Sequence, residues 1–93
     1  MPSSVVSTVK VEIYSTALCP YCSRAKMLLD KKGVPYTEYR IDQHAGFFDE
    51  MLERSNDRTS VPQIFINDKH IGEFDELAEL DVDDELDTLL QSN

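Results

Sequence analysis

Val9-Lys10-Val11-Glu12-Ile13-Tyr14, a short loop, and then Cys19-Pro20-Tyr21-Cys22 running on to Ala25, Leu28 and Leu29 form the stretch that decides the fold. The opening residues alternate apolar and polar, the period-two signal of a strand with one face buried. Pro20 suits the first position of a helix, where its missing N–H costs nothing. Cys22, Ala25, Leu28 and Leu29 recur at helical spacing and make one apolar face. Lys31 and Lys32 in a last turn, with Gly33 just beyond, are a stop signal. The unit is a strand, a loop, and a helix that begins at the cysteines.

Working outward, Tyr36 to Ile41 is rich in β-formers and reads as a second strand. Strand, helix, strand in that order implies a crossover and a parallel pair. Phe47, Phe48, Met51 and Leu52 predict a second helix that ends near Ser55-Asn56-Asp57. Val61-Pro62 precedes the apolar run Gln63 to Ile66, and Asn67-Asp68 predicts a tight hairpin into a last strand, Lys69 to Gly72. Leu77, Leu80, Leu86, Leu89 and Leu90 are anchors for one or two terminal helices. The expected order is β-α-β-α-β-β-α, with a further helix possible at the end.

The chain has 93 residues, 41% of them hydrophobic, which fits a single domain spanning 1–93 with a flexible tail at 1–8. Eighteen acidic residues against nine basic ones leave a net charge of −9. That balance argues against nucleic acid or an anionic membrane as partner, since both attract a positive surface. No apolar run approaches the roughly 20 residues of a membrane helix, and Met1–Thr8 lacks the basic and apolar pattern of a secretory leader. Two cysteines three positions apart cannot make the multi-bridge framework of a small secreted domain, so a reducing, cytoplasmic setting is expected. Glu73 to Asp87 holds nine acids, read as a solvated helical face.

Cys19-Pro20-Tyr21-Cys22 carries the chemistry. Two intervening residues let the sulfurs form a disulfide once the segment turns into a helix. Cys19 falls at the helix start, where unpaired N–H groups and the positive end of the dipole stabilise a thiolate. Cys22 lies about one turn inside, more buried and able to attack a sulfur joined to Cys19. Cys19 is therefore read as the nucleophile and Cys22 as the resolving thiol. Half of a zinc site is the competing use of this spacing, but zinc takes four ligands. Only His44 and His70 remain as candidates, and neither is spaced as a partner motif.

With these residues in view, the sequence resembles the glutaredoxin family, in its small dithiol bacterial form. The resemblance rests on Cys19-Pro20-Tyr21-Cys22, Ser60-Val61-Pro62-Gln63, His70-Ile71-Gly72 and Leu86 to Leu90, in that order, and covers nearly everything after Val9. It implies a thioredoxin-like fold, a four-stranded mixed sheet flanked by helices on both faces, with a cis Val61-Pro62 bond. It also implies glutathione as reducing co-substrate, no tightly bound cofactor or metal, and glutathionylated or disulfide-bonded proteins as substrates of a monomeric enzyme. Carried over by residue, Tyr21 flanks glutathione and Val61, beside Pro62, pairs with its cysteinyl backbone. Phe74 and Asp75 at a helix start hold its γ-glutamyl end, and Arg58 reaches its glycyl carboxylate.

The chain departs from the family pattern at Thr16, where many members carry lysine, and at Glu73, where a second glycine is common. Glu73 is expected to place a negative charge near the γ-glutamyl carboxylate, a repulsion of about 1 kcal/mol or less in an exposed site, and so to weaken glutathione binding. Two other activities fit the resemblance: a glutathione-ligated [2Fe–2S] carrier, which Pro20 weighs against, and a thioredoxin-reductase-linked donor, which Pro20-Tyr21 between the cysteines weighs against.

Overall fold

The computed structural model describes residues 9–91; the expected tail at 1–8 lies outside them. The elements are β1 (Val11–Ser15), α1 (Pro20–Lys31), β2 (Thr37–Arg40), α2 (Ala45–Arg54), β3 (Gln63–Ile66), β4 (Lys69–Gly72), α3 (Phe74–Val82) and α4 (Glu85–Gln91). The terminal leucines thus serve two helices, which part at Asp83 and at Asp84, a residue with φ of 62°. The sheet order is β2-β1-β3-β4. β1 and β2 run parallel, and β1–β3 and β3–β4 run antiparallel. This is the thioredoxin-like α/β fold.

Local chemistry explains the joints. At the end of α1 the Gly33 N–H donates to the Asp30 carbonyl at 3.0 Å and the Val34 N–H to the Leu29 carbonyl at 3.4 Å. That is a Schellman closure, and it requires the φ of +73° that Gly33 adopts without strain. Asn67 and Asp68 both have positive φ, 51° and 67°, as a two-residue hairpin turn demands. The expected hairpin is present.

Helices cover both faces of the sheet. Val11, Ile13, Ile64 and Ile66 pack with Ala25 and Leu29 of α1, Leu77 of α3, and Leu86 and Leu90 of α4. On the other face Tyr14 and Phe65 pack with Met51 of α2. Lys32, at the end of α1, bridges α3 and α4 through Asp81 at 2.6 Å and Asp87 at 2.9 Å, so part of the acidic run is internally paired.

β1 departs from its sequence pattern. The alternation predicts one buried face, yet all five residues of the strand are buried. As a central strand, β1 carries a polar residue, Glu12, inside the α2 layer. Glu12 is 6% exposed. It accepts hydrogen bonds from Arg54 Nη2 at 2.8 Å, Arg54 Nη1 at 3.3 Å and the Tyr39 hydroxyl at 2.9 Å. The guanidinium of Arg54 also lies 4.0 Å from the centre of the Phe65 ring. A carboxylate is tolerated there because every strong partner it needs is supplied.

Candidate active site

α1 begins at the cysteines as its sequence requires. Cys19 is the N-cap, in extended conformation, and Pro20 is the first helical residue. The Cys22 N–H donates to Cys19 Sγ at 3.1 Å, and the Ser23 N–H donates to the Cys19 carbonyl at 3.1 Å. The sulfur thus occupies the place of an N-cap oxygen, where amide donors and the helix dipole favour negative charge. Cys19 and Cys22 are joined as a disulfide, with their Cα atoms 5.2 Å apart. Cys22 is buried, 1% exposed, whereas Cys19 reaches the surface. This asymmetry fits an attacking and a resolving sulfur.

The loop leading to Cys19 is tied down from β2. The Ala17 N–H donates to Asp42 Oδ2 at 3.1 Å, and Arg40 donates to both Asp42 oxygens at 2.8 Å. The hydrogen bonds from Arg40, aided by the Ala17 amide, hold the Asp42 carboxyl far below the usual carboxylate range. Leu18, just before the nucleophile, is 95% exposed.

Opposite the disulfide, the Val61-Pro62 peptide bond is cis, as the family resemblance implies. The Val61 carbonyl oxygen stands 3.8 Å from Cys19 Sγ. Beside them opens a cleft of about 160 Å³ lined by Tyr21, Val61, Pro62, Glu73, Phe74 and Asp75. The rings of Tyr21 and Phe74 face each other with centroids 6.2 Å apart. One end of the cleft is the N-terminus of α3, a position that favours negative charge, and its Val61 adjoins Cys19.

Glu73, the N-cap of α3, is the anchor of a polar network behind that wall. Its Oε2 accepts from Arg58 Nη2 at 2.7 Å and from the Ser60 hydroxyl at 2.6 Å, with Gln63 Nε2 at 3.5 Å. The Ser60 hydrogen bond and then the Arg58 guanidinium hold the Glu73 carboxyl below its usual range. Buried Gln63 continues the chain, donating to the Ser60 carbonyl at 2.9 Å and meeting His70 Nε2 at 2.7 Å through its Oε1. Burial, followed by the charge of Arg58, pushes the His70 imidazole below its ordinary value.

Tyr21, Val61, Pro62, Phe74 and Asp75 line one cleft, and its Val61 stands beside Cys19. Arg58 does not line it. Its guanidinium stands behind Glu73 and is held there by that residue. To the sequence reading of Glu73 as a negative charge near the γ-glutamyl carboxylate the structure adds a partner, because the Glu73 carboxylate is ion-paired with Arg58. Ser60, Gln63 and His70 escaped the sequence reading as a set, since only the β3–β4 pairing brings them together. His44 packs edge-on against Phe47 at 5.0 Å, and among the described residues no group of three or more His, Cys, Asp or Glu side chains is arranged to hold a metal ion.

Paired sulfurs that open and close at a helix start, on this sheet topology and facing a cis proline turn, perform thiol–disulfide exchange, and the class is that of the thioredoxin-like oxidoreductases. The glutaredoxin family model matches residues 11–71. Glutaredoxin 3 of Escherichia coli K12 is 53% identical over 81 residues, which is 87% of this chain and 96% of that one. Among solved structures, the Brucella melitensis glutaredoxin in solution is similar with a TM-score of 0.80 at 42% identity, over 95% of each chain. A crystal structure of a buckwheat glutaredoxin–glutathione complex is similar with a TM-score of 0.80 at 31% identity, over 90% of this chain and 78% of that one. The chain belongs to the glutaredoxin family and is a thiol–disulfide oxidoreductase.

Proposed function

We propose that this protein is a glutathione-dependent oxidoreductase that reduces glutathione mixed disulfides and protein disulfides, acting as a monomer in the reducing cytoplasm. The observation that carries the reading is the cleft opening beside Cys19, walled by Tyr21 and Phe74 and ending at the N-terminus of α3. Its aromatic walls and the helix start suit a short extended peptide laid beside the Cys19 sulfur. That a related buckwheat protein has been solved with glutathione supports the same ligand here.

In the proposed cycle the Cys19 thiolate attacks the glutathione sulfur of a protein–glutathione disulfide. A Cys19–glutathione disulfide forms and the protein thiolate leaves. A second glutathione thiolate attacks the glutathione sulfur of that mixed disulfide, releasing oxidised glutathione and restoring the Cys19 thiolate. With a protein disulfide, the Cys19 thiolate attacks one of its sulfurs and the other leaves as a thiolate; Cys22, losing its proton to that thiolate, then attacks Cys19 Sγ, and the second protein thiolate leaves as the Cys19–Cys22 bridge closes. Two glutathiones then reopen it. Members of this class sit at about −200 to −230 mV, near the glutathione pool, so the exchange is driven by the ratio of reduced to oxidised glutathione.

Tyr21 and Phe74 are assigned to flank the ligand, and Val61, beside Pro62, to pair with its extended backbone. Asp75, with the α3 amides, meets the γ-glutamyl end, and Arg58 faces the glycyl end across Glu73. The test is NADPH consumption in an assay coupled through glutathione reductase, with a small glutathione mixed disulfide as substrate. Cys19→Ser is expected to abolish turnover, while Cys22→Ser keeps most of it. Equal loss in both variants would overturn the assignment of roles. A wild type without turnover that purifies brown would favour the cluster-carrying alternative.

A further inference from the structure

Glu73 lines the cleft and holds Arg58 behind it. Arg58 Nη2 is 2.7 Å from Glu73 Oε2 and 3.9 Å from Glu76 Oε1. The Arg58 and Glu73 side chains are 38% and 33% exposed, so the pair is open to solvent. Ser60 adds its hydroxyl to the same Glu73 oxygen at 2.6 Å, and Glu76 is kept in place by accepting from the Glu73 N–H at 2.7 Å. The one positive charge of the guanidinium is thus matched by Glu73 before any ligand arrives. A carboxylate coming to this end meets no free cation, because Glu73 and, at 3.9 Å, Glu76 both face the guanidinium.

We propose that Glu73 is a specificity-determining residue: by neutralising Arg58 it makes this end of the cleft indifferent to a ligand's terminal carboxylate. The thiol co-substrates accepted then include peptides whose C-terminus is masked as an amide. The inference rests on the glutathione reading above. Glu73 acts here through Arg58 and is a positioning residue, not a catalytic one.

The test compares reduced glutathione with its glycine carboxamide as co-substrate, using the ratio of their KM values, free acid over amide. Wild type is expected to give a ratio near one. Glu73→Gln keeps the side chain's shape, frees the charge of Arg58, and should lower the ratio about fivefold, the upper end for an exposed ion pair. Arg58→Gln leaves Glu73 uncompensated and should raise it by a similar factor of about five. The double variant, which removes both charges of the pair and leaves Glu76 in place, should return it to near the wild-type value. In every case the ratio of kcat values for the two ligands should stay constant, because the sulfur chemistry is untouched. A general loss of structure would shift both ligands together and leave the KM ratio alone.

A wild-type ratio already near one fifth would overturn the proposal, since Arg58 would then be reading the carboxylate despite Glu73. The same ratio in all four proteins would overturn it as well. Should Glu73→Gln fail to fold, the Arg58→Gln arm decides alone: an unchanged ratio there refutes the inference. Absence of wild-type turnover with either thiol is a separate outcome, and it refutes the glutathione reading itself.

Discussion

Replacing Arg54 by leucine removes the partner of a buried carboxylate, and the structure sets the size of the loss. Arg54 donates twice to Glu12, at 2.8 and 3.3 Å, and once to the Tyr14 hydroxyl at 2.7 Å. It also covers the Phe65 ring at 4.0 Å. Removing one member of a buried ion pair costs about 3–5 kcal/mol, because the other charge is left without compensation. The Arg54 side chain is 22% exposed, so water can enter in its place, and the lower end, about 3 kcal/mol, is expected. Urea unfolding followed by circular dichroism at pH 7 measures this as a shift in midpoint at constant slope.

The pH dependence gives the sharper check. In the wild type burial raises the Glu12 pKa, but hydrogen bonds from Arg54 and Tyr39 and the guanidinium charge outweigh it, so the net shift is downward. A depressed carboxyl contributes stability above its unfolded value, here 4.5, and that stability is lost as pH falls through the folded pKa. Without Arg54 the burial effect dominates and the pKa of Glu12 rises above the unfolded value. The penalty in the variant is then present at neutral pH and relieved as pH falls. The gap between wild type and Arg54→Leu should therefore narrow between pH 7 and pH about 4. Adding Glu12→Gln to the variant should recover part of the loss at pH 7. A loss below about 1 kcal/mol, or a gap that widens in acid, would refute the reasoning.

Other outcomes follow from the same geometry. His70, whose pKa is lowered chiefly by burial, resists a proton that the unfolded chain accepts, so wild-type stability should decline as pH falls below the ordinary imidazole value of 6.5; His70→Gln should flatten the stability profile between pH 7 and about 5.5. Gly72 has φ of +119°, and a Cβ there would lie 2.6 Å from Glu76 Oε1, the atom that accepts from the Glu73 N–H. Gly72→Ala should cost about 1–3 kcal/mol from backbone strain, read as a fall in thermal midpoint of roughly 5 °C or more.

Much of the architecture was legible because it depends on short-range periodicity. A helix shows itself through residues three and four apart, and a strand through every second residue. The Cys22-Ala25-Leu29 face, the Gly33 stop and the Asn67-Asp68 turn are features of this kind, and each stands where the sequence places it. The cysteine pair was legible for the same reason: its geometry is set by one turn of one helix. The burial of Glu12 was not. Alternation reports which side of a strand is polar, whereas the position of β1 in the sheet decides whether that side meets water. Its partners Tyr39 and Arg54 are 27 and 42 residues away, and no local pattern links them.

The sequence by itself determined the order of the elements, the redox pair and its two unequal sulfurs, and the family resemblance that pointed to a cleft around Val61 and Phe74. Tertiary structure alone decided the electrostatics of that cleft. Glu73 and Arg58 are each visible as charges in the chain, one read as a repulsion toward glutathione and the other as a contact to its glycyl carboxylate. They lie 15 residues apart and meet only because the segment after α2 returns across the sheet to the start of α3. A charge acts through its distance to other charges, and that distance is set by the fold, not by the order of residues.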